Sequence, residues 1–198
     1  MRRATVTRKS KETNITVTLN LDGTGKVSVK TGIPFLDHML TLLGTHGVCD
    51  LTVKATGDLD VDVHHTNEDI GLVLGEALDR ALGDRRGIQR FGFAYVPMDE
   101  ALARVVLDIS GRPKVVLRDQ RGVHTESSSG GTYQWRDAEH FLESLVRTAK
   151  LTLHVDVLAG DDFHHTCEAV FKALGRALEA ASRTHPRIKG VPSSKGRL

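Results

Sequence analysis

The chain has 198 residues and a mass of 21.6 kDa, with 39% hydrophobic and 26% charged residues. That suits one compact domain or two small fused halves, in which folding removes roughly 70% of the unfolded surface from water. Twenty-seven Lys and Arg against 25 Asp and Glu leave a formal charge of +2, too balanced for a nucleic-acid or membrane-surface partner, and no apolar run reaches the ~20 residues of a membrane helix.

The start, Met1-Arg2-Arg3-Ala4-Thr5, has no apolar stretch behind it and does not read as a signal peptide. Thr5–Lys9 and Ile15–Leu21 alternate apolar and polar residues with a β-branched bias, which predicts strands. Asp22-Gly23-Thr24-Gly25 reads as a hairpin turn returning into a strand over Lys26–Lys30. Pro34 suits the first turn of a helix to about Thr45, and Leu51–Ala55 is a fourth strand. From His64 to Leu82 apolar residues cover a wide arc, which predicts a long and mostly buried helix. The second half reads the same way: strands at Phe91–Val96, Arg104–Ile109 and Val115–Arg118, a helix at Arg136–Lys150, a strand at Leu151–Val157 and a helix at His164–Ser182. The tail after Pro186 is polar, and a ligand is expected to order it. Cys49 and Cys167 form no C-x-x-C pair, so a reducing cytoplasm is the expected setting.

The two halves are copies. His64-His65-Thr66-x-Glu68 returns as His164-His165-Thr166-x-Glu168, an offset of 100. Around His38 and His140 the offset is 102; around Gly23 and Gly111 it is 88. The difference places an insertion in the polar stretch Asp119–Gln134. The expectation is a mixed α/β (α+β) fold, a duplicated βββαβα unit with two four-stranded sheets and helices packed between them. It forms one domain over 1–198, from a first repeat at 1–90 and a second at 91–198 with its insertion near 119–134.

The His-His-x-x-Glu segments carry the chemistry. Helical residues turn by about 100° each, so His64 and Glu68 share a face while His65 points elsewhere and suits a different cation. His164, Glu168 and His165 repeat the arrangement, and His38 and His140 add one matched imidazole per half. Six imidazoles and two carboxylates divide economically into two metals, each with three nitrogens and one oxygen. That set favours a divalent first-row ion. It needs no thiolate, since the position of Cys167 is Asn67 in the first half. An octahedral ion would keep two open places for something to bind, which favours manganese over zinc. One such pair could as readily be structural. Two matched copies argue against that, because buried imidazole–carboxylate clusters without partners are costly.

Phe35-Leu36-Asp37-His38-Met39-Leu40, His64-His65-Thr66-Asn67-Glu68-Asp69, Pro97-Met98-Asp99-Glu100-Ala101, Ser110-Gly111-Arg112-Pro113 and Pro192-Ser193-Ser194-Lys195-Gly196 carry a resemblance. Over nearly its whole length the chain resembles the imidazoleglycerol-phosphate dehydratases of histidine biosynthesis. The resemblance implies dehydration of D-erythro-imidazole-glycerol phosphate to imidazole-acetol phosphate, through a metal-bound imidazolate and a diazafulvene-like intermediate. It implies two Mn2+ per active site and a fold like domain 2 of ribosomal protein S5. It also implies a homo-oligomer of 24 subunits built from trimers, with sites between subunits. By motif, one manganese takes His38, His65, His164 and Glu168; the other takes His64, Glu68, His140 and His165. Glu12 in Lys11-Glu12-Thr13 becomes the candidate proton-transfer residue, with His46 as a second candidate for the acid or base role. Arg90, Arg112 and Lys195, with Ser193 and Ser194, become phosphate ligands. Lys172, four residues beyond Glu168, is expected to face the metal surface.

Asp37, Asp69 and Asp99 read as helix caps or as carboxylates orienting histidines, Asp69 preferentially the latter. Leu42 departs from the Gln that many members carry. His124, His154 and His185 receive no role. A non-catalytic metal-binding or storage assembly is the alternative reading, and Glu12, Arg112 and Lys195 speak against it. A dinuclear phosphoester hydrolase would want more carboxylates. Neither nucleic acid nor membrane is an expected partner.

Overall fold

The computed structural model describes residues 2–119, 129–130 and 133–198. The first half runs β1 (Arg3–Lys9), β2 (Thr13–Asn20), β3 (Val27–Lys30), α1 (Pro34–His46), β4 (Asp50–Gly57) and α2 (His64–Leu82). The second runs β5 (Phe91–Met98), β6 (Ala101–Asp108) and β7 (Lys114–Asp119), then the short β8 (Ser129–Gly130) and β9 (Tyr133–Gln134). It ends with α3 (Trp135–Ala149), β10 (Thr152–Ala159) and α4 (Phe163–Ser182). Most of the expected insertion, His124 included, lies outside the described residues.

The sheets have orders β1-β2-β4-β3 and β5-β6-β10-β7, one topology used twice. The duplication holds in the strand register. Thr7 faces Thr16 in the first sheet and Tyr95 faces Arg104 in the second, the same pair moved by 88. Thr18 faces Thr52 and Val106 faces His154, so β4 and β10 are related by 102. Alternation does what was expected: Ile15, Val17 and Leu19 are buried while Thr16 and Thr18 point outward.

The expected hairpin between β2 and β3 does not form. β3 pairs in parallel with β4, on the far side from β2. The Asp22–Gly25 turn instead carries the chain over the start of β4, where Asp50 Oδ1 accepts from the backbone N–H groups of Thr24 (2.9 Å) and Lys26 (3.1 Å). A glycine-rich turn bends the chain but does not choose the strand it returns beside.

The four helices fill the space between the sheets, and they exchange partners between halves. α2 packs on α3, and α4 packs on α1. Both crossings rest on a repeated glycine. A Cβ on Gly75 would lie 2.2 Å from the Leu145 carbonyl oxygen, and one on Gly175 would lie 2.4 Å from that of Leu43. Because each half covers its helices with the other half's helices, neither buries its apolar faces alone. Gly175→Ala should therefore cost roughly 1–3 kcal/mol by overpacking, read as a lower urea midpoint. An unchanged midpoint would mean that the crossing has slack.

Local sequence places the site histidines at helix starts. Pro34 occupies the first turn of α1, and Asp37 Oδ1 accepts from Thr31 N (2.9 Å) and Thr31 Oγ1 (2.5 Å). Gln134 and Asp137 form a capping box on α3. Asp162 Oδ1 caps α4 by accepting from His165 N at 3.0 Å, and Asp62 Oδ1 accepts from His64 N at 2.8 Å. His38 and His140 thus sit just inside α1 and α3, and both His-His pairs begin their helices.

Candidate metal centre and substrate pocket

His38 Nε2 and His164 Nε2 converge on one oxygen, Glu168 Oε1, at 2.8 and 3.0 Å. Among the described residues these are the one group of three donor atoms within 4.8 Å of one another. The i,i+4 spacing in α4 accounts for His164 with Glu168, and the α1–α4 packing delivers His38. Glu168 is buried, and its other oxygen accepts from Lys172 Nζ at 2.5 Å. Burial alone would push this carboxyl up. Hydrogen bonds from His38, Lys172 and His164 outweigh it and hold the group at about 2. Two imidazole nitrogens aimed at one carboxylate oxygen are a donor set that fits a divalent first-row cation in place of the bridging protons.

The depressed acidity has a sign. In the metal-free protein Glu168 adds stability that is complete above its ordinary 4.5 and is lost as pH falls toward about 2. Glu100, also held near 2, acts in the same direction. Denaturation midpoints should fall across that window, and Glu168→Gln should flatten part of the fall. A profile unchanged by the substitution would assign the acid sensitivity elsewhere.

The second set is looser. His64 and His140 rings stand 5.0 Å apart, centroid to centroid, and His64 Nε2 lies 3.8 Å from Glu68 Oε2. Arg147 donates to Glu68 Oε1 at 3.0 Å, putting a side-chain cation on this carboxylate. Among the described residues His140 Nδ1 is buried and has no hydrogen-bond partner, a costly condition for a polar atom. The helix positions of His64, Glu68 and His140 match those of His164, Glu168 and His38.

His65 and His165 join neither trio. His65 Nδ1 bonds Asp58 Oδ2 at 2.9 Å, and His165 Nδ1 bonds Glu100 Oε2 at 2.8 Å. A carboxylate on Nδ1 fixes the tautomer and leaves Nε2 as the free ligand atom, the usual arrangement behind a metal-bound histidine. These hydrogen bonds raise both imidazoles above their ordinary values. Asp58 and Glu100 are the orienting carboxylates. Asp69 is not: it accepts from Thr13 Oγ1 at 2.6 Å and pairs with Arg8, tying α2 to the first sheet. Asp37, inside the first turn of α1, accepts from Thr31 ahead of the helix, and Asp99 comes only within 3.9 Å of His165 Nε2.

Glu12 is exposed at the β1–β2 turn, in a pocket of about 360 Å3 that Asp58 also lines. His46 ends α1 beside Lys172 and Arg176; burial first, and then those two charges, lower its pKa. Arg90 spends its fork on Asp108 (2.7 and 3.0 Å) and donates to the Pro192 carbonyl at 2.9 Å, so it anchors the tail carrying Ser193, Ser194 and Lys195. Arg112 and Lys195 remain exposed. Leu42 packs against the apolar core.

Asp58, Glu100, Asp108 and Arg147 were not found from sequence as site residues. A doubling of the histidine motif signals metal, but nothing in it points to a carboxylate 65 positions from His165.

The family model of imidazoleglycerol-phosphate dehydratase matches residues 31–178. The imidazoleglycerol-phosphate dehydratase of Mycolicibacterium gilvum is 52% identical over 198 residues, 98% of each chain. That of Corynebacterium urealyticum is 50% identical over 191 residues, covering 96% of this chain and 94% of the other. The crystal structure of the Staphylococcus aureus enzyme superposes with a TM-score of 0.81 at 36% identity, covering 92% of this chain and 99% of that one. The Pyrococcus furiosus enzyme, in complex with (S)-C348, gives 0.82 at 36% identity, covering 98% and 100%.

Proposed function

The chain belongs to the imidazoleglycerol-phosphate dehydratase family, hydro-lyases of histidine biosynthesis, and from that premise we propose that it works with two Mn2+ ions per active site. His38, His65, His164 and Glu168 would hold one ion, and His64, Glu68, His140 and His165 the other. The observation that carries the reading is the convergence of His38 and His164 on Glu168. Such ions would supply the positive charge that favours the imidazolate form of the substrate ring.

The rest falls to the chain. The hydroxyl beside the ring must leave as water, and the next carbon must lose a proton. The resulting enol becomes the ketone when the carbon beside the ring takes up a proton. No carbonyl acidifies that C–H bond, so a positioned base is needed. Glu12, an exposed carboxylate in a polar pocket, suits that role. His46, whose lowered pKa keeps it neutral near pH 7, suits proton exchange on the Lys172 side. Lys172 neutralises Glu168 and fixes its free oxygen. Arg90, Arg112, Lys195, Ser193 and Ser194 offer donors to the phosphate, and Arg90 also seats the tail that brings three of them.

Each proposed ligand set has three members near one another in the chain and a fourth, His65 or His165, turned onto a separate carboxylate. A neighbouring copy would complete each set, which favours a homo-oligomer with sites between chains; the proposed assembly is the 24-subunit shell of trimers that the family resemblance implies. Among the described residues no helix is long and apolar enough to cross a membrane, and both cysteines are buried and outside any disulfide; the proposed setting is the cytoplasm. Mixing tests the shared site. His65→Ala and His164→Ala proteins should each be inactive, and their co-assembled mixture should regain activity in about a quarter of sites by random association. No recovery from a mixed shell would place each complete site within one chain.

A further inference from the structure

We propose that Asp58 is a positioning residue that takes over the holding of His65 and so leaves the Glu12 carboxylate free to move a proton. The inference rests on the reading above, in which His65 is a manganese ligand and Glu12 the base. It is carried by a comparison of the two repeats.

Glu12 and Glu100 are the same position in the duplication. The β1–β2 and β5–β6 ladders share one register, moved by 88, and each closes in a tight turn. Ser10 N donates to Thr13 O across the first turn, and Met98 faces Ala101 across the second. Glu12 and Glu100 each precede the last residue of that turn. In the second half this glutamate is fully employed. Its Oε2 accepts from His165 Nδ1 at 2.8 Å, and its Oε1 accepts from Asp162 N at 3.1 Å and Asp161 N at 3.4 Å. In the first half no hydrogen bond or ion pair engages the Glu12 carboxylate among the described residues, and His65 is held instead by Asp58.

The loop before the helix makes the exchange. Gly57 and Gly160 are matched landmarks, since a Cβ on either would meet the hydroxyl of Thr66 or Thr166. Between Gly160 and His164 stand three residues, whose backbone reaches Glu100. Between Gly57 and His64 stand six. The longer path brings Asp58 beneath His65, where one oxygen bonds the imidazole and the other is buried without a partner. Glu12 lines the same pocket as Asp58. Two copies of one unit thus use equivalent glutamates differently: one orients a ligand, the other is left facing the pocket. A single asymmetric substrate needs that divergence.

Manganese binding by the metal-stripped protein, followed by electron paramagnetic resonance of the free ion, separates the roles without reference to turnover. Glu12→Ala alone should leave affinity within about twofold. Asp58→Ala alone should weaken it modestly, because Glu12 then covers His65. Glu12→Ala on top of Asp58→Ala should weaken it by a further 10- to 100-fold, roughly the effect of losing an orienting partner. Glu100→Ala should do so by itself. Asp58→Ala should also lose kcat with little change in KM, and Asp58→Asn, which keeps an acceptor oxygen, should restore most of it. If Glu12→Ala costs the same affinity with and without Asp58, Glu12 does not stand in for Asp58 and the proposal is overturned. If the unaltered protein binds no Mn2+, the metal reading itself falls and this proposal with it.

Discussion

Glu12→Gln should lower kcat by about 10²- to 10⁴-fold, the usual contribution of a positioned proton-transfer group, while the protein still folds and still binds Mn2+. The substitution keeps the shape of the side chain and removes only its basicity. Glu12 stands at an exposed turn, in a register that the β1–β2 ladder fixes independently of it, so nothing in the core depends on it. No partner engages its carboxylate among the described residues, so its loss leaves no buried donor unsatisfied. KM should change little, since the phosphate and the imidazole supply the binding. Steady-state rates on imidazole-glycerol phosphate check this. A variant with kcat within a few-fold of the unaltered enzyme would remove Glu12 from the chemistry and leave His46 as the candidate.

Glu168→Gln should be more damaging, because one residue serves three neighbours. It should weaken Mn2+ binding and lower turnover by about 10³-fold, several kcal/mol of charge stabilisation. An amide in this place leaves Lys172 without its counter-charge and, where NH2 replaces Oε2, without its acceptor, and its neutral oxygen is a weaker ligand than the carboxylate oxygen that His38 and His164 share. The loss should not be repaired by raising pH. Metal content of the purified variant and its rate at saturating Mn2+ are the measurements; full metal content with full activity would take Glu168 out of the ligand set.

Much of this was legible from residue spacing. The 100-residue echo of His-His-x-x-Glu announced the duplication and singled out His164 and Glu168, which with His38 form the candidate metal group. Alternation in β2 and the wide apolar arc of α2 fixed what would be buried. What failed is instructive about range. The Asp22–Gly25 turn was read as a hairpin because turn chemistry is local, whereas β3 pairs with β4, and Asp50, far along the chain, holds the turn there. Asp69 was preferred as an orienting carboxylate because it neighbours the motif, yet it faces Thr13 and Arg8 across the fold. The carboxylates that hold His65 and His165 come from a loop and from a hairpin tip, and only folding brings Glu100 near His165.

The central claim is that this fold dehydrates its substrate through cations held by paired histidine–glutamate sets. The most direct measurement is turnover of imidazole-glycerol phosphate by the chelated protein, with and without added Mn2+, read as formation of imidazole-acetol phosphate. The account predicts no turnover after chelation and its return with Mn2+. Undiminished turnover in the demonstrably metal-free protein would contradict it, as would tight Mn2+ binding with no product formed.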